Sequence, residues 1–244
     1  MGSASVVSGR PEAATEYEPR PGNIMDILIL EYEEILKQGF CTEEELVARI
    51  CALYHSIVHE IDPGVYSVED QMAWSPEPPA VSDWIERFRE APPALAFLAS
   101  ASSALPFSND TSHAASMEHP RAPFELAATR ASEPVADRGS AAPWLSHLLG
   151  FMNLEMDGAG ESKPGCGHID LAYVSTKHQR KGISQRLYSH LEKQARERGL
   201  LSLTVDASHL ARPFFEKQGF QFRTENQVPR NGRWITNFTL EKVF

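Results

Sequence analysis

The sequence predicts an α/β protein. Three observations carry this prediction: a helix with a capping box at Thr42, an amphipathic helix over residues 183–198, and strand-like segments on both sides of that second helix. The chain has 244 residues, of which 42% are hydrophobic, a balance typical of a globular protein with a sizeable core. The strand–helix–strand unit around residues 183–198 should be parallel and right-handed.

The first hundred residues predict a strand, three helices and a second strand. An apolar stretch after Met25 (I-L-I-L-E-Y) indicates the first strand, and Thr42 opens a helix that Pro63-Gly64 ends. Shorter helices are predicted around residues 68–74 and 82–90. The stretch A-L-A-F-L-A-S predicts a strand over residues 94–100.

Two segments have compositions that do not predict packed structure. Residues 1–22 are rich in Ser, Ala, Pro, Glu and Gly, which predicts a disordered tail. Residues 101–147 contain 11 Ala, 8 Ser, 5 Pro and 1 Gly, or 25 of 47 positions, which predicts a mobile insertion between the second and third strands. The folded domain is therefore expected to cover residues 23–244 apart from this insertion.

The last hundred residues alternate between strand and helix patterns. Strands are expected over 148–156, 168–174, 201–205, 220–226 and 234–242, and helices over 183–198 and 208–218. Within the strand over 168–174, alternation places His168 and Asp170 on one face and Tyr173 on the other.

Charge is unevenly distributed along the chain. The net charge is −10, which argues against a protein that coats nucleic acid. Residues 168–244 carry 13 basic and 7 acidic side chains, net +6, so the remaining residues carry −16. An anionic ligand is therefore expected at the last third of the chain.

Cysteine and hydropathy patterns exclude several classes of protein. Three cysteines without C-x-x-C spacing argue against a disulfide framework and favour a reducing, cytoplasmic location. No signal-peptide core and no apolar run of about 20 residues is present, so no membrane contact is expected. No metal site is predicted: His55 and His59 are four residues apart, but Ser56 stands where a metalloprotease motif needs Glu.

The most informative stretch joins the strand ending at Val174 to the helix beginning near Ile183. A polar loop leads into a helix N-terminus, whose free amides and dipole form an anion site. Gly182 permits close approach of the backbone, and His178, Arg180 and Lys181 add positive charge. The loop therefore predicts phosphate or pyrophosphate binding, although neither a P-loop nor a G-x-G-x-x-G motif occurs.

Five segments give this pattern a family resemblance. Q-R-K-G-I-S at 179–184 resembles the Q/R-x-x-G-x-G/A loop of the GNAT superfamily of N-acetyltransferases. The strand before it, A-R-P-F-F-E-K-Q-G-F at 211–220, the closing T-N-F-T-L-E-K and the N-terminal A-L-Y-H-S-I-V-H-E-I agree with it. The resemblance implies the GNAT fold: a mixed, mostly antiparallel sheet of about seven strands flanked by about four helices.

The resemblance also implies acetyl-CoA as co-substrate. The family pairs a strand backbone with the pantetheine arm, holds the pyrophosphate on loop amides, and often touches the arm with an Asn at the position of Ser208. The implied strand residues are Tyr173, Val174 and Ser175, and the implied loop residues are Gln179, Arg180, Lys181, Gly182, Ile183 and Ser184.

Catalytic and acceptor residues are less well defined. His168 lies where some family members place a catalytic Glu, and Asp170 is a candidate for orienting the amine; the alternatives are a strand-end histidine and a satisfied buried carboxylate. Phe215 replaces the Tyr that commonly protonates the leaving thiolate, so that acid is not assigned. The resemblance places His59, Tyr66 and Trp74 near the acceptor, although core packing explains Tyr66 and Trp74 at least as well. Phe215 is a further candidate for contact with the thioester, but its pattern favours core packing.

The sequence therefore predicts an acetyl-CoA-dependent N-acetyltransferase whose acceptor is a small, cationic primary amine. Two alternatives remain: a protein N-acetyltransferase that uses the insertion for docking, and a non-catalytic protein that binds acyl-CoA. The oligomeric state is left open between a monomer and a homodimer.

Overall fold

The fold is described from a computed structural model, over residues 27–98, 142–156 and 165–244. The predicted tail over 1–22 and the predicted insertion up to residue 141 lie outside these ranges. The end of that predicted insertion is folded: Pro143–His147 form a 3-10 helix in which Trp144 and Leu145 are buried. Residues 143–147 were predicted to belong to the insertion from their composition. They are folded instead, because these large apolar side chains pack into the core.

The described residues form nine strands and six α-helices. The strands are β1 (Ile27–Glu31), β2 (Ala94–Leu98), β3 (Leu148–Met152), β4 (Glu155–Met156), β5 (Cys166–Ile169), β6 (Ala172–Val174), β7 (Ser202–Ala207), β8 (Gln221–Arg230) and β9 (Arg233–Val243). The helices are α1 (Tyr32–Gln38), α2 (Glu43–His59), α3 (Val68–Trp74), α4 (Val81–Glu90), α5 (Ile183–Glu197) and α6 (Arg212–Lys217).

The strands form two sheets. The first has the order β1-β2-β3-β6, and the second has the order β4-β5-β7-β9-β8. The pair β5–β7, joined through α5, is parallel as predicted, and the other recorded pairs are antiparallel. The predicted mixed, mostly antiparallel α/β fold is confirmed, with more strands and helices than the sequence indicates.

The first sheet is buried on both faces. On β2, Leu95 and Phe97 pack into the cluster formed with α2 and α4, whereas Ala94 and Ala96 pack into the cluster formed with α5. Such double burial explains why β2 and β3 are continuous apolar runs rather than alternating patterns.

The helix start predicted at Thr42 is confirmed. Thr42 Oγ1 accepts a hydrogen bond from the Glu45 amide at 3.1 Å, and the Glu45 carboxylate accepts one from the Thr42 amide at 2.8 Å, so the predicted capping box is present. Helix α1 was not predicted, because its seven residues directly continue the apolar pattern of β1. Over the described ranges, no helix has the length and hydropathy that crossing a membrane requires.

Two predicted strands each divide between the sheets. The strand expected over 148–156 separates into β3 and β4, and the strand expected over 168–174 separates into β5 and β6. Asn153, which is buried, holds this division: its side-chain Oδ1 accepts from the Leu171 backbone amide at 2.7 Å, and its backbone N–H donates to the Leu171 carbonyl at 3.1 Å. A side chain therefore completes backbone bonding where the strands change sheets.

Asn153→Ala tests this role. Removing the amide leaves the buried Leu171 N–H without an acceptor, so we expect the free energy of unfolding to fall by about 1–3 kcal/mol. Urea unfolding measures the change. Gln227→Ala, which removes an exposed amide bonded to Thr236, is the control and should shift stability by no more than about 0.5 kcal/mol. Equal effects of the two variants would contradict this account.

Candidate active site

A cleft opens where the two sheets part. Strands β5 and β7 are paired as far as Ile169 and Val205, after which β6 joins β3 in the other sheet. A cavity of about 280 Å³ lies there, with Leu171 and Tyr173 on one side and Asp206 and Ser208 on the other. We call this cavity the central cleft.

Strand β6 presents unpaired backbone groups toward β7. The Leu171 carbonyl and the Ser175 amide bond to β3, and Tyr173 lies opposite Phe151 between them. Because backbone groups alternate in direction along a strand, the N–H and C=O groups of Ala172 and Val174 point away from β3. Tyr173, Val174 and Ser175 were predicted to pair with the pantetheine arm. Of these three, only Val174 directs its backbone groups away from β3, and Ala172, which was not predicted, does the same.

The loop before α5 has the geometry of an anion site. Arg180 (φ 62°) and Gly182 (φ 81°) adopt the left-handed conformation, and Gly182 has open space around its Cα. Within the described ranges, no group accepts a hydrogen bond from the backbone amides of residues 180–185. These amides lie at the positive end of the α5 dipole, so they can bind phosphate oxygens.

Side-chain charge at this loop comes from fewer residues than expected. Arg180 and Lys181 are exposed and form no salt bridge with a described carboxylate, whereas Lys177 pairs with Glu60 at 3.2 Å. Burial, and then the charges of Lys181 and Lys177, lower the pKa of His178. That imidazole is therefore neutral at neutral pH, contrary to the expectation that it adds positive charge.

Five of the predicted site residues line the central cleft. They come from α3, from β5, from β6 and the turn before it, and from the residue after β7: Trp74, His168, Asp170, Tyr173 and Ser208. The predicted opposition of Tyr173 to His168 and Asp170 is wrong, because the strand is interrupted at Asp170 and Leu171 and alternation does not carry across the interruption.

His168 is held by one ring nitrogen. Its Nδ1 lies 2.9 Å from Thr204 Oγ1, and the Thr204 hydroxyl also lies 3.4 Å from the Gly167 carbonyl. When that hydroxyl donates to the carbonyl, Nδ1–H donates to the hydroxyl oxygen and Nε2 keeps its lone pair. This tautomer provides a proton acceptor in the wall of the cleft.

Asp170 belongs to a charged cluster with Arg87 and Glu155. Arg87 of α4 donates to the Asp170 carboxylate, so this carboxylate is already paired in the cleft. Burial, followed by the charge and hydrogen bond of Asp170, raises the pKa of Glu155 to about 7. Glu155 and His168 are register partners on β4 and β5, which places a proton-holding carboxyl group beside the histidine.

Sequence reasoning missed Tyr54, Arg87 and Glu155. Tyr54 and Arg87 line the cleft from helices α2 and α4, where they resemble an apolar-face residue and a surface arginine. No local motif identifies either residue or Glu155, since their partners lie far along the chain. Burial raises the pKa of both Tyr54 and Tyr173, so both phenols remain protonated at neutral pH.

Three residues predicted near the acceptor are absent from the cleft lining. Phe215 is only 1% exposed and packs against Tyr188 and Phe220, so it belongs to the core. His59 bonds through Nε2 to the Ser75 carbonyl at 2.7 Å. Tyr66 is buried, and its hydroxyl bonds to the backbone of the second sheet and of the segment after β7.

Tyr66 connects α3 to the second sheet. Its hydroxyl donates to the Thr236 carbonyl at 3.1 Å and accepts from the His209 amide at 3.1 Å. Ser208 is likewise engaged locally, because its Oγ accepts from the Ala211 amide at 3.2 Å. Both hydroxyls therefore shape the cleft walls through their own backbone contacts.

The fold and cleft define a class of protein that sequence comparison identifies. Residues 141–242 match the model of a family described as an acetyltransferase (GNAT) domain. This match confirms the resemblance to the GNAT acetyltransferases that the motifs in this part of the chain predict. An uncharacterized N-acetyltransferase of Escherichia coli (strain K12), YafP, is 41% identical over 71 residues, which are 29% of this chain and 44% of that protein. The match spans less than half of the relative's length.

Solved structures share the fold. A GCN5-related N-acetyltransferase from Rhodopseudomonas palustris, described as a class-II aminotransferase, has a TM-score of 0.56 at 22% identity, over 89% of this chain and 95% of that one. An acetyltransferase described as putative, from Acinetobacter baylyi ADP1, has a TM-score of 0.51 at 15% identity, over 89% and 93%. The likeness extends to the N-terminal half, which the family match does not cover.

The raised pKa of Glu155 predicts a pH-dependent effect of Glu155→Gln. The ordinary pKa of 4.5 rises to about 7 on folding. The stability that the Glu155 carboxyl group contributes is therefore fully present below pH 4.5 and is lost as pH rises through 7. Glutamine resembles the protonated acid and removes this loss. We expect the variant to unfold about 2–5 °C above the parent protein at pH 8, and near it at pH 4.5.

Thermal unfolding at the two pH values measures this difference. Glu225→Gln, a change at an exposed carboxylate on β8, is the control and should have the same small effect at both. The interpretation fails if Glu155→Gln shifts the midpoint equally at pH 4.5 and pH 8.

Proposed function

We propose that the protein transfers an acetyl group from acetyl-CoA to a small primary amine. The observation that carries this proposal is the central cleft, which lies where β6 and β7 part. It joins the open edge of β6 to the side chain of His168, whose Nε2 can accept a proton. A thioester and an amine meet at one place in such an arrangement, as direct transfer requires.

The phosphate end of acetyl-CoA is assigned to the loop over residues 179–184. Free amides, the α5 dipole and the exposed charges of Arg180 and Lys181 together suit a pyrophosphate. The amide-containing pantetheine arm is assigned to the edge of β6, where the backbone groups of Ala172 and Val174 supply donors and acceptors. Both assignments match polar ligand groups to groups that otherwise have no described partner.

The amine must lose a proton before it reacts. An alkyl ammonium has a pKa of about 10.4, so at neutral pH most of the acceptor is protonated. We assign the proton acceptor to His168 Nε2, with Nδ1 held by Thr204. The neutral nitrogen then attacks the thioester carbonyl, the carbon–sulfur bond breaks, and the CoA thiolate leaves.

Asp170 and Glu155 are assigned to positioning rather than to proton removal from the amine. Arg87 neutralises Asp170, and the raised pKa of Glu155 keeps a proton between the two carboxyl groups near neutral pH. Phe215 has no proton to donate and is buried. The phenols of Tyr54 and Tyr173 are the cleft groups that can protonate the leaving thiolate in its place.

The dimensions of the cleft favour a small acceptor over a protein segment. A cavity of about 280 Å³ is at the lower end of the range of small-molecule sites. The expected preference for a purely cationic acceptor gains no support from the lining, because Asp170 and Asp206 are balanced there by Arg87 and Arg230.

Substitution of both loop cations tests the cofactor assignment. In Arg180→Gln/Lys181→Gln, loss of two phosphate contacts should raise the KM for acetyl-CoA about tenfold or more and leave kcat within about twofold. Thiol release measures both constants. S-acetylpantetheine lacks the pyrophosphate, so its kcat/KM should not change.

Lys193→Gln is the control for charge alone, because Lys193 lies on α5 and pairs with Glu197. An equal loss with S-acetylpantetheine, or with the control variant, would rule out phosphate binding by the loop.

Substitution of His168 tests the base. His168→Ala should lower kcat/KM by about 10²–10⁴-fold at pH 7, the range typical of a lost general base. The residual rate should rise with pH, because solution then supplies more neutral amine. His55→Ala, at a ring bonded to Ser75 outside the cleft, should retain the parental rate. A His168→Ala enzyme with full activity at pH 7 would refute the assignment.

A further inference from the structure

The central cleft contains two arginines in different states. Arg87 is paired with Asp170, whereas Arg230 lines the same cleft and forms no salt bridge with any carboxylate of the described residues. Its hairpin neighbour Arg233 points to another partner, Asp70, at 2.5 Å. Arg230 is thus a cation held at the binding cavity without a described acidic partner.

Arg230 shares the central cleft with several aromatic side chains, which we call the aromatic wall: Tyr54, Trp74, Trp84 and Tyr173. Tyr54 contacts Trp84 and Tyr173, with ring centroids 5.1 Å and 4.8 Å apart, and Trp74 lines the same cavity. Burial raises the pKa of Tyr54, and the charge of Arg230 opposes that rise, which places the guanidinium within electrostatic reach of the phenol. An apolar ligand body against this wall would therefore lie near a cation.

A negative charge, that of Asp206, lies where β6 and β7 part. Asp206, at the end of β7, is exposed and accepts from the Thr239 hydroxyl at 2.6 Å. It forms no salt bridge with a basic residue in the described ranges, so its carboxylate is free to attract an ammonium group. His168 lines the same cavity, and so the amine would be drawn to the proposed base.

We propose that the acceptor is a small primary amine that also carries a carboxylate, as amino acids with an apolar or aromatic body do. Arg230 binds the carboxylate, Tyr54 and Trp74 contact the body, and Asp206 attracts the amine. This inference rests on the proposed acetyl transfer. Guanidinium is the side chain best suited to a carboxylate, because its donors match both oxygens.

Matched pairs of amines test the proposal. Phenylalanine and 4-(aminomethyl)benzoate place a carboxylate near to and far from the amine, and their methyl esters remove its charge. We expect the parent enzyme to prefer at least one acid over its ester by about tenfold or more in kcat/KM. Arg230→Gln should lower kcat/KM for that acid about 10–100-fold, mainly through KM, and leave the ester within about threefold.

Arg233→Gln is the matched control, since Arg233 lies on the same hairpin but bonds to Asp70 outside the cleft. It should leave both acid and ester unchanged. Equal use of acids and esters by the parent enzyme, or an equal effect of Arg230→Gln on both, would overturn the proposal while leaving acetyl transfer intact.

A binding measurement separates this proposal from the proposed function. Calorimetry with N-acetylphenylalanine and its methyl ester needs no turnover, and the acid should bind the parent protein more tightly than Arg230→Gln. Acid-selective binding without thiol release from acetyl-CoA on any amine would refute acetyl transfer but retain the carboxylate site. Absence of acid selectivity in binding would refute the carboxylate site.

Discussion

The division of the strand pair β5–β7 is the constraint on which the site depends. The two strands are paired up to Ile169 and Val205. Beyond these residues the chain after β5 enters the first sheet as β6, whereas β7 continues in the second sheet. The parting leaves the backbone groups of Ala172 and Val174 without a strand partner among the described residues, and a ligand with amide groups can satisfy them. The central cleft and the strand edge proposed for the cofactor both follow from this one change of partner.

The parting is stabilised from several sides. Asn153 completes the backbone bonding of Leu171, and Gly150 lets β3 approach β6, because a Cβ there would lie 2.6 Å from the Tyr173 carbonyl oxygen. Helix α5 packs on the same sheet and fixes the direction of its N-terminus. The position of the amides at residues 180–185 is therefore set by core packing as much as by the loop itself.

Electrostatic balance distinguishes the two ends of the site. The loop presents Arg180 and Lys181, exposed cations of the basic last third of the chain, at the proposed phosphate site. The central cleft is mixed instead, with Asp170 neutralised by Arg87 while Arg230 has no acidic partner among the described residues. Net charge along the sequence agrees with the proposed cofactor end and did not indicate the mixed polarity of the central cleft.

The sequence by itself determined the elements and signals that act over short distances. The capping box at Thr42, the amphipathic α5 and the Gly182 loop each depend on residues within a few positions, so local patterns sufficed for them. Tertiary structure decided the break of the strand at Asp170, the burial of Phe215 and the meeting of Glu155, Arg87 and Asp170. These depend on which strand pairs with which and on contacts between distant residues, and one sequence carries no local signal for either.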